Sequence, residues 1–328
     1  MLVLSREDVR ALVPMERAID LVTMAFQDLA AGKAQSPIRT PIDVREGFGT
    51  TLVMPAYVPS ASALGLKVVS VFTGNATRGL PTITSVVCLL DDETGQPVAL
   101  MEGGYLTALR TGAVSGAATR LLAREDARVL TVIGAGAQAV TQVAGVCAVR
   151  PIERVNVVGR STERLEGFRD RLDRDWPGLG ERVHPTLDVA QAVREADVIC
   201  TATTSREPVF DDSDVQPGTH INGVGSFTPV MQEVPAATVA RSIVVVDQMG
   251  PALEEAGDLI IPLREGTIAR EHLWRELGHV ALGEHEGRTS VNDITYFKSV
   301  GNAVQDMAVG RFAFEKAQRT GAGQSVSL

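Results

Sequence analysis

Between Pro14 and Ala31 apolar residues recur at helical spacing, with Ala18, Leu21, Val22, Ala25 and Leu29 on one face. Helices are therefore predicted across Ser5–Gly32, and Ser5-Arg6-Glu7-Asp8 supplies a cap with an acidic first turn. The rhythm changes from Arg39 to Leu100. Thr51–Met54, Leu64–Phe72, Ile83–Leu90 and Val98–Met101 are short β-rich runs parted by Gly, Pro and Asn, which predicts an antiparallel or mixed sheet. Asp91–Pro97 reads as a turn, and Leu106–Leu122 as a helix of small residues.

From Ala127 strand and helix alternate. Strands are predicted at Val129–Ile133, Arg154–Val158, Val183–Pro185, Val198–Ala202, His220–Val224 and Ile243–Asp247. Helices are predicted at Gln138–Val149, Thr162–Leu172 and Leu187–Glu195. Such alternation implies a parallel, doubly wound sheet. A last helix, Asn302–Ala317, carries small and apolar residues on one face and is expected to pack back on the first domain. The fold class is α/β: a Rossmann sheet over 119–301 with a smaller α+β domain over 1–118, completed by 302–328.

With 328 residues, 45% of them hydrophobic, the chain is long enough for a large core and about two domains. Its net charge of −9 is spread without a run of like sign, which argues against nucleic acid or an anionic membrane as partner. A small anionic substrate feels only the field of its own pocket and is not excluded. Cys88, Cys147 and Cys200 each lie in an apolar run with no CxxC spacing, and are expected to be buried, reduced thiols. The N-terminus lacks a signal-peptide core, and no apolar stretch reaches the ~18 residues of a membrane span. A soluble, cytoplasmic protein is the expectation. The histidines form no HxxxH or HExxH pattern, so no metal site is predicted.

The segment Val129-Leu130-Thr131-Val132-Ile133-Gly134-Ala135-Gly136-Ala137-Gln138-Ala139 places GxGxxA between a buried strand and a helix. Gly134 permits a tight turn, Gly136 lets the backbone approach a pyrophosphate, and Ala139 lets the helix lie close to the strand. That context favours a nicotinamide dinucleotide over a ligand-free glycine turn. The second strand ends Val158-Gly159-Arg160-Ser161-Thr162, with no carboxylate for a ribose hydroxyl. Arg160 and Ser161 suit a 2′-phosphate, so NADP(H) is preferred and NAD(H) possible; the alternative is that Arg160 is a solvated helix-start residue. Asp247 either reaches a ligand at the carboxyl edge or caps the segment after it. The Gly- and charge-rich stretch His279–Arg288 is read as a loop near the cofactor, and Gly257-Asp258 as scaffold. Arg39 and Lys67, taken by themselves, are ordinary surface or snorkelling residues.

The chain resembles the ornithine cyclodeaminase/mu-crystallin family along nearly its whole length. The resemblance rests on Ser36-Pro37-Ile38-Arg39-Thr40, Met54-Pro55-Ala56-Tyr57, Gly65-Leu66-Lys67-Val68-Val69, Leu106-Thr107-Ala108-Leu109-Arg110-Thr111-Gly112-Ala113, the GxGxxA segment, His220-Ile221-Asn222-Gly223-Val224-Gly225 and Phe297-Lys298-Ser299-Val300-Gly301. It implies a homodimer whose first domain binds substrate and forms the dimer interface. It implies substrate contacts from Arg39, Lys67, Arg110 and Val300, with Lys67 as the catalytic acid. It implies cofactor contacts from Thr82, Arg110, Ala137, Gln138, Arg160, Thr203, Val224 and Ser299, which join Gly134, Gly136 and Ser161.

The family's cyclodeaminases carry an Asp where this chain has Phe227, within Gly225-Ser226-Phe227-Thr228-Pro229. A ring cannot take a proton, so the resemblance points to the imine-reducing branch, with Δ1-pyrroline-2-carboxylate or Δ1-piperideine-2-carboxylate reduced to L-proline or L-pipecolate. The alternatives are an ornithine cyclodeaminase or alanine-dehydrogenase-like enzyme, or a non-catalytic NADPH-binding protein of mu-crystallin type.

Overall fold

A computed structural model describes residues 1–327. It divides into two compact units: Met1–Arg110 together with the chain from Asn302 onward, and Thr111–Gly301. The chain crosses between them at Arg110–Thr111, inside the helix Gly103–Leu122; the predicted junction at 118/119 lies in the same helix.

In the first unit, Ser5 caps the helix Arg6–Leu12 through a reciprocal pair with Asp8: the Asp8 N–H donates to Ser5 Oγ at 3.2 Å, and the Ser5 N–H to Asp8 Oδ2 at 2.8 Å. The helix Met15–Ala30 then buries Ala18, Ile19, Val22, Ala25 and Phe26 on one face. Each of its larger aliphatic and aromatic side chains contributes about 1.5–3 kcal/mol by leaving water. That face meets the long C-terminal helix Ala303–Thr320, which also lies on the strands Gly49–Val58 and Ala63–Val71.

The unit's sheet has seven strands among the described residues, in the order Gln324–Ser325, Leu2–Leu4, Pro97–Glu102, Ile83–Leu90, Ala63–Val71, Gly49–Val58, Thr40–Val44. It is mixed: Leu2–Leu4 runs parallel to Pro97–Glu102, and every other pairing is antiparallel. The two terminal strands and Thr40–Val44 were not expected. They are too short or too exposed to show a period of two, and only their neighbours make them strands.

The second unit holds eight parallel strands among the described residues. Their order is Val183–Thr186, Arg154–Val158, Val129–Ile133, Val198–Thr201, His220–Gly223, Thr295–Lys298, Ile243–Val246, Arg275–Glu276. The strand order reverses between Val129–Ile133 and Val198–Thr201, the switch point at which doubly wound sheets open a crevice beyond their carboxyl ends. The charged helix expected over Thr162–Leu172 is two, Thr162–Leu165 and Phe168–Asp175, because Gly167 adopts φ +67° and ends the first. Thr295–Lys298 was not recognised as a strand, yet it lies between His220–Gly223 and Ile243–Val246. The stretch after His279 is also not simply a cofactor loop. It begins in a short helix, Leu277–Ala281, at the carboxyl edge and ends at the amino edge, where Arg288 donates to the carbonyls of Gly218 and Leu122.

Of the three thiols Cys200 alone is buried, Cys88 and Cys147 are half-buried, and all are free. Burial pushes Cys147 up to about 11 and Cys200 up to about 12, which keeps both protonated and unreactive. Among the described residues no helix is long and apolar enough to cross a membrane.

Candidate active site

The first unit gathers its chemistry on the inner face of the strand Ala63–Val71. Ala63, Gly65 and Lys67 alternate inward, so Lys67 occupies a position that the period of two assigns to an apolar residue. It stands opposite Met54 and Val87 on the flanking strands and is 1% exposed. An ammonium there requires a partner, and the C-terminal helix supplies it. Lys67 Nζ donates to Asp306 Oδ2 at 2.6 Å, and Arg110 Nε donates to Asp306 Oδ1 at 3.2 Å. Arg110 Nη1 also donates to Gln305 Oε1 at 2.7 Å. Asp306 and Gln305 are fully buried.

Arg39 is half-buried and close enough for its charge to act on Lys67. Its segment is tied to the same helix start, because Ser36 Oγ donates to Asn302 Oδ1 at 2.8 Å and Asn302 is the helix cap. Burial lowers the Lys67 ammonium to about 8; Asp306 opposes that fall, while Arg110 and Arg39 add to it. The cluster holds three cations around one carboxylate, so an anion of small size is the ligand it favours. Arg39, Lys67 and Arg110 are thus brought together within this unit. Thr82 lies elsewhere in it, half-buried, with its carbonyl accepting from the Phe72 N–H at 2.8 Å.

Asp306 and Gln305 were missed. Both interrupt an otherwise apolar face in which Ala303, Val304, Met307, Ala308 and Val309 are buried, and that interruption was a readable signal. Asp306 also changes the charge balance: the pocket of Arg39, Arg110 and Lys67 contains a resident carboxylate.

In the second unit the predicted cofactor residues follow the carboxyl ends of adjacent strands. Gly134, Gly136, Ala137 and Gln138 follow Val129–Ile133, Arg160 and Ser161 follow Arg154–Val158, Thr203 follows Val198–Thr201, Val224 follows His220–Gly223, and Ser299 follows Thr295–Lys298, with Val300, predicted as a substrate contact, next to it. Gly134 has φ +114°, and a Cβ there would lie 2.5 Å from the Ala202 carbonyl oxygen, so only glycine makes this turn. Gly136 caps the eleven-residue helix Ala137–Cys147 without a side-chain hydrogen bond, and a Cβ on it would meet nothing within 4 Å. Gln138 Oε1 is buried with no hydrogen-bond partner among the described residues. Free helix N–H groups and an open backbone fit the phosphates of a dinucleotide, while the Gln138 oxygen, an acceptor, suits a donor such as a hydroxyl.

Three buried carboxylates, Glu233, Asp247 and Asp258, shape this edge, and of these Glu233 was missed. Glu233 accepts from the N–H groups of Thr203 at 2.6 Å, Gly225 at 2.8 Å and Ser226 at 3.1 Å, and from Thr201 Oγ1 at 2.9 Å. Burial raises its pKa, Asp258 adds to the rise, and Lys298 opposes it. Asp247 accepts from Ser299 Oγ at 2.8 Å and from the N–H groups of Val300 at 2.9 Å and Gly301 at 2.8 Å. It therefore does more than cap the next segment, although it also accepts from the Gln248 N–H at 2.8 Å. Asp258 accepts from Lys298 Nζ and Tyr296 Oη, both at 3.1 Å, and from the N–H groups of Glu233 and Val234. Phe227 stands 36% exposed in the loop after His220–Gly223.

The family model for the ornithine cyclodeaminase/mu-crystallin family matches residues 1–321. A Δ1-pyrroline-2-carboxylate reductase from Bacillus cereus is 42% identical over 329 residues, covering 100% of both chains. The solved structure of Thermococcus litoralis Δ1-pyrroline-2-carboxylate reductase in complex with NADH and L-proline is 41% identical, with a TM-score of 0.94 over 99% of this chain and 100% of that one. An archaeal alanine dehydrogenase dimer with bound NAD is 33% identical, with a TM-score of 0.91 over 100% of this chain and 99% of that one.

Proposed function

The chain belongs to the ornithine cyclodeaminase/mu-crystallin family, and we propose that it is a nicotinamide-dependent reductase of cyclic ketimines, converting Δ1-pyrroline-2-carboxylate or Δ1-piperideine-2-carboxylate to L-proline or L-pipecolate. The observation that carries this reading is the buried cluster of Lys67 and Arg110 on Asp306, with Arg39 beside it. Arg110 and Arg39 bind the substrate carboxylate, a planar anion that a guanidinium matches in two places at once. Lys67 Nζ then lies by the ring nitrogen and gives it a proton. An ammonium brought down to about 8 is a far better acid near neutrality than an ordinary lysine. Asp306 holds that ammonium in place. The reduced nicotinamide, when bound, supplies the hydride that the imine carbon accepts.

For the cofactor we assign the pyrophosphate to the backbone of Gly134, Gly136, Ala137 and Gln138, and the nicotinamide half to Thr203, Val224 and Ser299. A preference for NADP(H) over NAD(H) is supported by Arg160, exposed at the end of the second strand. The Ser161 hydroxyl is engaged by the Glu163 carboxylate, whose pKa it lowers, so the grip on a 2′-phosphate rests mainly on Arg160. The related reductase structure holds NADH and the alanine dehydrogenase structure NAD, which supports use of NAD(H) as well. The alanine dehydrogenase is a dimer, which supports a homodimer here. Free thiols at Cys88, Cys147 and Cys200 agree with a reducing cytoplasm.

The test is oxidation of NADPH and of NADH with Δ1-pyrroline-2-carboxylate, beside pyruvate with ammonia, and L-ornithine with NAD. Rapid oxidation with the cyclic imine alone is expected. Ammonia release from ornithine, or turnover confined to pyruvate with ammonia, overturns the assignment.

A further inference from the structure

Gln305 is fully buried next to Arg110 and belongs to the same turn of helix as Asp306. Two donors converge on its side-chain oxygen: Arg110 Nη1 at 2.7 Å and the Asn302 N–H at 3.3 Å. Because neither group can accept a hydrogen bond, the amide is oriented with oxygen toward them and nitrogen away. That nitrogen, Nε2, is buried and has no hydrogen-bond partner among the described residues. A buried N–H pair left unmatched is costly, and native proteins keep very few of them.

The neighbourhood shows which chemistry would satisfy it. Both oxygens of Asp306 are already engaged, Oδ2 by Lys67 and Oδ1 by Arg110. The remaining N–H groups of Lys67, Arg110 and Gln305 outnumber the resident acceptors, and Arg39 adds a further cation. A carboxylate offers about four lone-pair sites and no donor, which is the complement of such a set.

We propose that Gln305 is a substrate-reading residue, its side-chain N–H donating to the carboxylate that Arg110 binds. This rests on the reductase reading above and extends it from charge to geometry. A neutral amide donates without adding charge, so it sharpens selection for a carboxylate over a carboxamide or ester, whereas a carboxylate at this position would repel the substrate.

The variant Gln305→Glu keeps an oxygen for Arg110 and for the Asn302 N–H, removes the donor and adds a negative charge. Steady-state reduction of Δ1-pyrroline-2-carboxylate and oxidation of L-proline and L-prolinamide are measured for the wild type and the variant, with the NADH dissociation constant from its fluorescence. KM for the imine should rise about 10- to 100-fold, the loss expected of one charge-assisted hydrogen bond, with kcat and NADH affinity changing far less. The ratio of kcat/KM for L-proline to that for L-prolinamide should fall by a similar factor. Damage to the fold would lower both amines together and weaken NADH, and that result, or a KM within twofold of wild type, overturns the proposal. Gln305→Met, which has no charge, separates the lost donor from the added repulsion: it should raise KM less than Gln305→Glu and still lower the ratio, and an unchanged ratio counts against the inference. No imine turnover by the wild type refutes the reductase reading itself, and the inference with it.

Discussion

Replacing Asp306 by Asn preserves the shape of the side chain and removes the negative charge beside Lys67. The two groups are 2.6 Å apart and buried, so the contact is a short, charge-assisted hydrogen bond with little solvent screening. Lys67 sits near 8 because burial pulls it down and Asp306 pulls it partly back, with Arg110 and Arg39 on the side of burial. An opposite charge at this range displaces a pKa by about one to three units. Without it, burial and the two guanidinium groups act unopposed, and Lys67 loses its proton correspondingly earlier. A general acid must carry its proton before transfer, so kcat/KM falls as pH rises through its pKa. In the Asp306→Asn variant the alkaline limb of kcat/KM should therefore move about one to three pH units toward acid. The assay is imine reduction by the purified enzyme from about pH 5 to pH 10, with thermal unfolding and NADPH affinity measured in parallel. A purely structural role would lower activity equally at every pH. An alkaline limb in its original place, in a folded variant that binds NADPH, would refute the account of Lys67 and Asp306.

Arg160→Ala should lower kcat/KM for NADPH by about 10- to 100-fold and leave NADH nearly untouched, as expected for one charge-assisted phosphate contact; equal loss with both cofactors in the same assay would remove Arg160 from that role. Gly145→Ala should destabilise the protein, because a Cβ there would lie 2.0 Å from the Gly112 carbonyl oxygen where two helices touch. Overpacking of about 1–3 kcal/mol outweighs the gain of about 1 kcal/mol in helix propensity, and differential scanning calorimetry should show a Tm lower by several degrees, not a rise. His220 is buried between Thr295 Oγ1 and Asn222 Oδ1 and is pushed down to about 3 by burial and by Arg288. Its folded pKa lies below its unfolded one, so its contribution is complete above the ordinary 6.5 and is lost as pH falls toward 3. Urea unfolding should lose stability with a slope that grows to about 1.4 kcal/mol per pH unit about one unit below the ordinary pKa, and His220→Gln should flatten the slope between about pH 6.5 and 5.

The course of the chain was largely legible where a period repeats. Val129–Ile133, Arg154–Val158 and Ile83–Leu90 are runs dominated by apolar and β-branched residues, and the structure has them at those bounds. The GxGxxA turn was legible because its glycines answer to local geometry: the φ of Gly134 and the bare backbone at Gly136 are set within a few residues. The strand Thr295–Lys298 was not legible, because it ends in a buried lysine. Asp258, from a helix about forty residues earlier in the chain, accepts from that lysine and from Tyr296, and so makes a polar segment fit for the interior.

The same division holds for the site. Lys67 and Arg110 are marked by the motifs of the resemblance; taken by itself Lys67 reads as an ordinary surface or snorkelling residue, and its inward place in the strand Ala63–Val71 corrects that reading. Nothing near them in the chain announces Asp306, which is 239 positions from Lys67 and 196 from Arg110. Alternation builds the two sheets, and local geometry builds the GxGxxA turn; both can be read along the chain, as can the cations that the resemblance assigns to a carboxylate. The protonation chemistry cannot be read that way. A lysine acquires a pKa near 8 from what surrounds it, and here burial, one carboxylate and two guanidinium groups meet from distant parts of the chain.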